Sequence, residues 1–303
     1  MFSGSLVAIV TPMHSDGSLD LAAWDRLLTL HLDAGTSGIV VCGTTGESPT
    51  VTDAETLQLV ERARARVKGR AALIVGAGTN STASSIERAR RFSAAGVDAL
   101  LIVTPAYNKP TQEGLYRHFE AVASASTVPL VLYNVPGRTA VDLLPSTVVR
   151  LLKLPSIVAV KEAVPTVERV RELVAAGKDS GREFAVLSGD DATAAQAMLN
   201  GARGVISVTA NVVPKAVAAV AAAALRGDRA MVDKLDASLR ALHEALFVEG
   251  NPIPVKWAMS ERGLIETGIR LPLTPLSEHL HGRVRAALDQ AIRGTHLPQA
   301  KSA

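Results

Sequence analysis

"SIVAVKEA", residues 156–163, places four apolar residues, Ile157, Val158, Ala159 and Val160, directly before a lysine. A short continuous apolar run bounded by turn residues reads as a strand buried on both faces, as in a parallel sheet. Lysine is seldom fully buried without a partner. Lys161 therefore either snorkels from the strand end into solvent or sits in a site that uses it. The run alone leaves both open. Because side chains alternate along a strand, Lys161 is expected to share a face with Ile157 and Ala159.

The same pattern recurs along the chain. Apolar runs that end in turn or polar residues begin at 5 ("SLVAIVTP"), 38 ("GIVVCGTTGE"), 71 ("AALIVGAGTN"), 99 ("ALLIVTPAYN"), 129 ("PLVLYNVPGRT"), 184 ("FAVLSGDD") and 204 ("GVISVTAN"). With "SIVAVKEA" they make eight. Between them lie segments of helical periodicity, such as 53–67 and 81–96, with Asp53 and Ser81 as expected N-caps and Gly96 as a helix stop. Eight strand–helix units predict a (β/α)₈ TIM barrel of the α/β class over 1–226. A doubly wound open sheet is the alternative, but the first strand is followed by "TPMHSDGS" rather than a glycine-rich phosphate loop. Past 226 the strand pattern stops. Residues 227–303 read as a C-terminal helical extension, with helices at 229–247 and 277–293 around the proline-rich "EGNPIPVKW" and "RLPLTPLS" and a frayed end, "THLPQAKSA".

Composition narrows the function. Hydrophobic residues are 48% of the chain but aromatics only 3%, so Ala, Val and Leu must build the core. The net charge of +3 is dispersed rather than blocked, which argues against a nucleic-acid face. The single cysteine, Cys42, lies in an apolar run and reads as a small buried hydrophobe rather than a nucleophile. The N-terminus carries no signal-peptide pattern, and no apolar stretch reaches the ~20 residues of a membrane span. A soluble cytoplasmic protein is expected.

In a barrel of this kind the active site lies at the C-terminal ends of the strands. Lys161 and Tyr133 end consecutive strands about 5 Å apart, so the two side chains can meet if both point into the barrel mouth. Desolvation favours a lysine's neutral amine, and such an amine attacks carbonyls to form a Schiff base. "GTTGE" (43–47) brackets two hydroxyls with glycines, which suits an anion pocket or a tight turn. Arg138 in "YNVPGRT" could hold a carboxylate or lie on the surface at a Pro-Gly turn. Tyr107 in "TPAYN" sits on the same rim. Asp190 and Asp191 read as caps of the next helix, and the scattered histidines suggest no metal site.

Together "GTTGE", "YNVPGRT", "VKEA" and "GVISVTAN" resemble the dihydrodipicolinate (4-hydroxy-tetrahydrodipicolinate) synthase family, and the likeness runs from "GSLVAIVTPM" to "NPIPVKWAMSERGLIETGIRLPLTPL". The resemblance implies a Schiff-base lyase that condenses pyruvate with L-aspartate 4-semialdehyde, without metal or organic cofactor, as a homotetramer built from two dimers. It implies that Lys161 forms the imine, that Tyr133 shuttles protons, and that Thr44 links Tyr133 to Tyr107 of a neighbouring subunit. Thr45 would hold the pyruvate carboxylate and Arg138 that of the second substrate. Gly189 and Ile206 would supply nearby carbonyls. Related pyruvate-lysine aldolases and sugar-acid lyases, and a non-catalytic paralogue, are the alternatives. Members of the family inhibited by lysine use a serine, a small residue, two histidines, an asparagine, a glutamate and a tyrosine at the regulatory site. Here Ser48, Pro49, Asp53, Thr56, Asn80, Ser84 and Ala106 stand at the matching positions. Inhibition by lysine is therefore expected to be weak or absent.

Overall fold

The structure is a computed structural model and describes residues 2–295. The eight apolar runs form eight parallel strands: β1 (Gly4–Ala8), β2 (Gly38–Val41), β3 (Ala72–Gly76), β4 (Ala99–Val103), β5 (Leu130–Asn134), β6 (Ile157–Glu162), β7 (Ala185–Ser188) and β8 (Gly204–Ser207). Each pairs with its neighbours in chain order, and β8 closes on β1, so the sheet is a barrel and not an open doubly wound sheet. A helix follows every strand, from Leu21–Asp33 after β1 to Pro214–Leu225 after β8.

Alternation along each strand sorts the core into two parts. Leu6, Ala8, Val40, Ile74, Leu101, Val131, Tyr133, Ala159, Leu187 and Ile206 fill the barrel interior. Their neighbours, such as Val7, Ile39, Val75, Leu132 and Val160, pack outward against the helices. Strand β6 breaks the simple alternation. Its register to β5 slips between Leu130↔Ile157 and Val131↔Ala159, leaving Val158 as an extra residue. Ile157 joins the outer core, while Val158 and Ala159 pack with the interior set. Lys161 therefore shares its face with Ala159 but not with Ile157. A bulge re-aims every side chain beyond it, which a strict two-residue period does not anticipate.

The helix starts follow capping chemistry. Ser81 caps Thr82–Ser93 as expected. The cap of Asp53–Val67 is Thr52, one residue earlier than expected, because Thr52 and Glu55 form a reciprocal capping box. That frees the Asp53 carboxylate, which pairs with Arg88 and Arg91. Past residue 226 the structure shows Arg229–Ala237, Arg240–Ala245, Ile253–Glu261 and Glu278–Thr295. Ile253–Glu261 begins inside "EGNPIPVKW", since a proline in the first helical turn gives up an N–H that has no intrahelical acceptor anyway. The end expected to fray lies, from residue 296 on, outside the described residues. No helix among the described residues is long and apolar enough to cross a membrane.

Candidate active site

Tyr133 and Lys161 are register partners on β5 and β6. Both are only 5% exposed, and the Lys161 Nζ lies 4.3 Å from the centroid of the Tyr133 ring. No carboxylate among the described residues pairs with this amine. The residues that follow them, Asn134 and Glu162, are also register partners and are buried. Asn134 Nδ2 donates to both Glu162 oxygens at 3.0 and 3.1 Å and to Asp142 Oδ1 at 2.7 Å. Arg169 closes this network on Asp142 and Glu162. Burial pushes the Glu162 carboxyl up, while the Arg169 guanidinium holds that of Asp142 down. The network cross-links the two strands one residue past the Lys161–Tyr133 pair, at their C-terminal ends.

Gly189, just past β7, leaves room for the lysine stem. A Cβ there would sit 3.1 Å from Lys161 Cε, tighter than ordinary carbon contact. Ile206 on β8 packs in the same interior set as Tyr133.

The "GTTGE" segment forms a short 3₁₀ turn, Thr44–Gly46, flanked by two residues with left-handed backbones, Cys42 (φ 49°) and Glu47 (φ 58°). The next strand permits this path through Gly76, where a Cβ would lie 2.1 Å from the Cys42 carbonyl oxygen. Thr45 is buried and its Oγ1 accepts from Asn251 Nδ2 at 3.0 Å. Arg138 lies in the turn Pro136–Thr139, exposed, and its Nη2 donates to the Asn251 backbone carbonyl at 3.2 Å. Thr44 and Arg138 line one cavity of about 740 Å³ with Val135 and Thr139. The cavity extends over Ser48, Pro49, Asp53, Asn80, Ser84 and Ala106, and also Glu87. Thr56 turns away from it, is buried, and donates to Cys42 Sγ.

Tyr107 stands apart. It is 90% exposed and holds φ at 75°, a value uncommon for a bulky residue. Within a single chain it does not pack with Tyr133. Cys42 is buried in the outer core, and burial pushes its thiol up to about 11, which removes it as a nucleophile. Asp190 caps the following helix through Thr193 N, as expected. Asp191 does something else: it is buried and accepts from Ser207 Oγ and the Val208 and Thr209 amides at the end of β8. His14, Asp20 and Glu266 bring three ligand atoms within 4.8 Å of one another, but Asp20 caps Leu21–Asp33 through Ala23 N and His14 pairs with Glu266 at the surface.

Four further residues support the site, and three of them lie away from the strand ends. Asn251 touches both Thr45 and Arg138. Glu47 and Lys256 form a buried ion pair, and Lys256 Nζ also donates to the Thr11 carbonyl. The Arg270 amide donates to Glu47 Oε2, while its side chain pairs with Glu55 and bonds the Thr50 carbonyl. That pairing pulls the Glu55 carboxyl down to about 2. A legible signal existed: Lys256 interrupts the apolar "IPVKWAM" much as Lys161 interrupts "SIVAVKEA".

Chemically the arrangement offers an enclosed primary amine beside a phenol, with a buried threonine hydroxyl and a guanidinium at the same mouth. Such a set suits imine formation with a carbonyl compound that carries a carboxylate. The profile of the dihydrodipicolinate synthetase family matches residues 1–291. The chain is 50% identical over 290 residues to the 4-hydroxy-tetrahydrodipicolinate synthase of Pseudomonas aeruginosa, covering 96% of this chain and 98% of the relative. Among solved structures it resembles the chloride-inhibited dihydrodipicolinate synthase of Acinetobacter baumannii complexed with pyruvate, with a TM-score of 0.92, 48% identity, and coverage of 96% of this chain and 99% of the other. A monomeric dihydrodipicolinate synthase variant superposes with a TM-score of 0.93 at 42% identity, covering 96% and 97%.

Proposed function

This chain belongs to the dihydrodipicolinate synthetase family, and from that premise we propose that it condenses pyruvate with L-aspartate 4-semialdehyde through an imine on Lys161. The observation that carries the reading is the enclosed Lys161 amine over the Tyr133 ring at the mouth of the barrel. The Lys161 amine attacks the keto carbon of pyruvate, and loss of water gives the imine. Tyr133 removes a methyl proton as general base, which leaves an enamine. The enamine carbon attacks the aldehyde, whose oxygen takes a proton. The amine of the second substrate then adds to the imine carbon and expels Lys161, closing the ring. Thr45 holds the pyruvate carboxylate and Arg138 that of the semialdehyde. Gly189 and Ile206 supply backbone carbonyls nearby. Thr44 joins Tyr133 to a Tyr107 from a neighbouring subunit. The 90% exposed Tyr107 supports a subunit contact that covers it, and the assembly proposed is a homotetramer of two dimers. A biosynthetic role in the cytoplasm fits this chemistry.

The test is product formation from pyruvate and aspartate semialdehyde, run beside N-acetylneuraminate and 2-keto-3-deoxygluconate. Turnover of either sugar acid in preference to the condensation would move the enzyme to a related aldolase. Arg138→Ala is expected to raise the KM for aspartate semialdehyde about ten- to a hundredfold, the weight of a hydrogen bond to a charged group, with the KM for pyruvate nearly unchanged. Equal effects on both would give Arg138 a general structural role.

L-Lysine is expected to inhibit weakly or not at all. Asp53 already answers Arg88 and Arg91. Glu87 lines the cavity but is exposed, where water screens its charge. An ammonium bound there would be poorly paired. A lysine titration at subsaturating pyruvate checks this, and strong submillimolar inhibition would refute it.

A further inference from the structure

We propose that Asn251 is a positioning residue that presets both carboxylate-recognising side chains, a claim that rests on the reading of Thr45 and Arg138 just given. Asn251 lies just ahead of the helix Ile253–Glu261, far in sequence from the strand ends, and is buried. Its two ends act separately. The side-chain Nδ2 donates to Thr45 Oγ1 at 3.0 Å. The backbone carbonyl accepts from Arg138 Nη2 at 3.2 Å.

A threonine hydroxyl has one proton and two lone pairs. With one lone pair taken by the amide N–H, the Thr45 proton stays uncommitted, since its Oγ1 has no second partner among the described residues. It is therefore free to be given to a substrate carboxylate. The reverse amide orientation would place Oδ1 on Thr45 and consume that proton. In the structure the Nδ2 end of the amide faces Thr45, which leaves the hydroxyl proton for a substrate carboxylate.

Arg138 profits differently. It is exposed, on a four-residue turn, and a free guanidinium there would sample many rotamers. One Nη anchored on the Asn251 carbonyl leaves the other donors of the planar fork for a carboxylate. Because that anchor is backbone, it survives a change of the Asn251 side chain. This makes the two roles separable.

The experiment compares wild type, Asn251→Ala and Asn251→Asp, reading KM for each substrate, borohydride trapping of pyruvate, and thermal midpoint. Asn251→Ala should raise the KM for pyruvate about tenfold and slow trapping at low pyruvate by the same factor, the upper end of what losing one neutral hydrogen bond costs. The KM for aspartate semialdehyde should stay within about twofold because the backbone anchor remains. Asn251→Asp should be worse for pyruvate, since its carboxylate can only accept, takes the Thr45 proton, and faces a like charge. If Asn251→Ala does not fold, the near-isosteric Asn251→Asp carries the same test. Unchanged pyruvate kinetics in the folded variants, or equal rises in both KM values, would overturn the proposal while leaving the function intact. A wild-type enzyme that traps no pyruvate overturns the functional reading and this proposal together.

Discussion

Pyruvate and borohydride together should inactivate the enzyme and leave one reduced pyruvate-derived group on Lys161, located by peptide mass spectrometry. Lys161→Arg should lose at least about a thousandfold in kcat, in line with removal of a catalytic nucleophile. Arginine keeps a cation at the same place, so the variant separates charge from nucleophilicity. A guanidinium stays protonated at any working pH and cannot form the imine. The site offers no obvious substitute: among the described residues the other buried lysine, Lys256, has its Nζ committed to Glu47 and the Thr11 carbonyl. Label on a different lysine, or none, would remove the imine on Lys161 from the mechanism.

The barrel was legible because each of its strands is a short apolar run and each run ends in residues that cannot continue it. A closed parallel sheet buries both strand faces, so the signal is strong and local. The Tyr133–Lys161 pairing followed from consecutive strands and was found as register partners. What could not be read was anything that depends on a one-residue irregularity. The bulge at Val158 moves Ile157 to the outer core, and no alternation rule marks which residue of an all-apolar run is extra. The same holds for the cap at Thr52, where Thr-Asp offers two capping side chains in succession and the Glu55 reply selects the first. Asn251, Lys256 and Arg270 are hard to read for a different reason: they lie away from the strand ends, more than 100 residues from the partners they hold, and nothing in "GTTGE" itself marks Glu47 as half of a buried pair.

The buried pair Lys256–Glu47 carries the second large effect. Glu47 holds a left-handed backbone directly after Thr44–Gly46, and its carboxylate is fully enclosed. Among the described residues its one other side-chain partner is the Arg270 amide, on Oε2. Lys256→Met would replace an ammonium by an apolar group of similar length and leave that carboxylate unpaired, along with the Thr11 carbonyl. Breaking a buried pair from one side costs about 3–5 kcal/mol, and in a chain of this size the thermal midpoint should fall on the order of 10 °C. Adding Glu47→Gln removes the stranded charge yet keeps an oxygen for the Arg270 amide. The double variant should recover most of the loss, since replacing both ions of a buried pair is often near neutral. Calorimetry on wild type, Lys256→Met, Glu47→Gln and the double variant gives the coupling directly. The pair also steadies the turn that carries Thr44 and Thr45, so Lys256→Met should lose pyruvate affinity well below its melting temperature, before the barrel itself opens. A single variant that melts with wild type would mean that water reaches Glu47, and that the enclosure holding this turn is not what fixes the two hydroxyls.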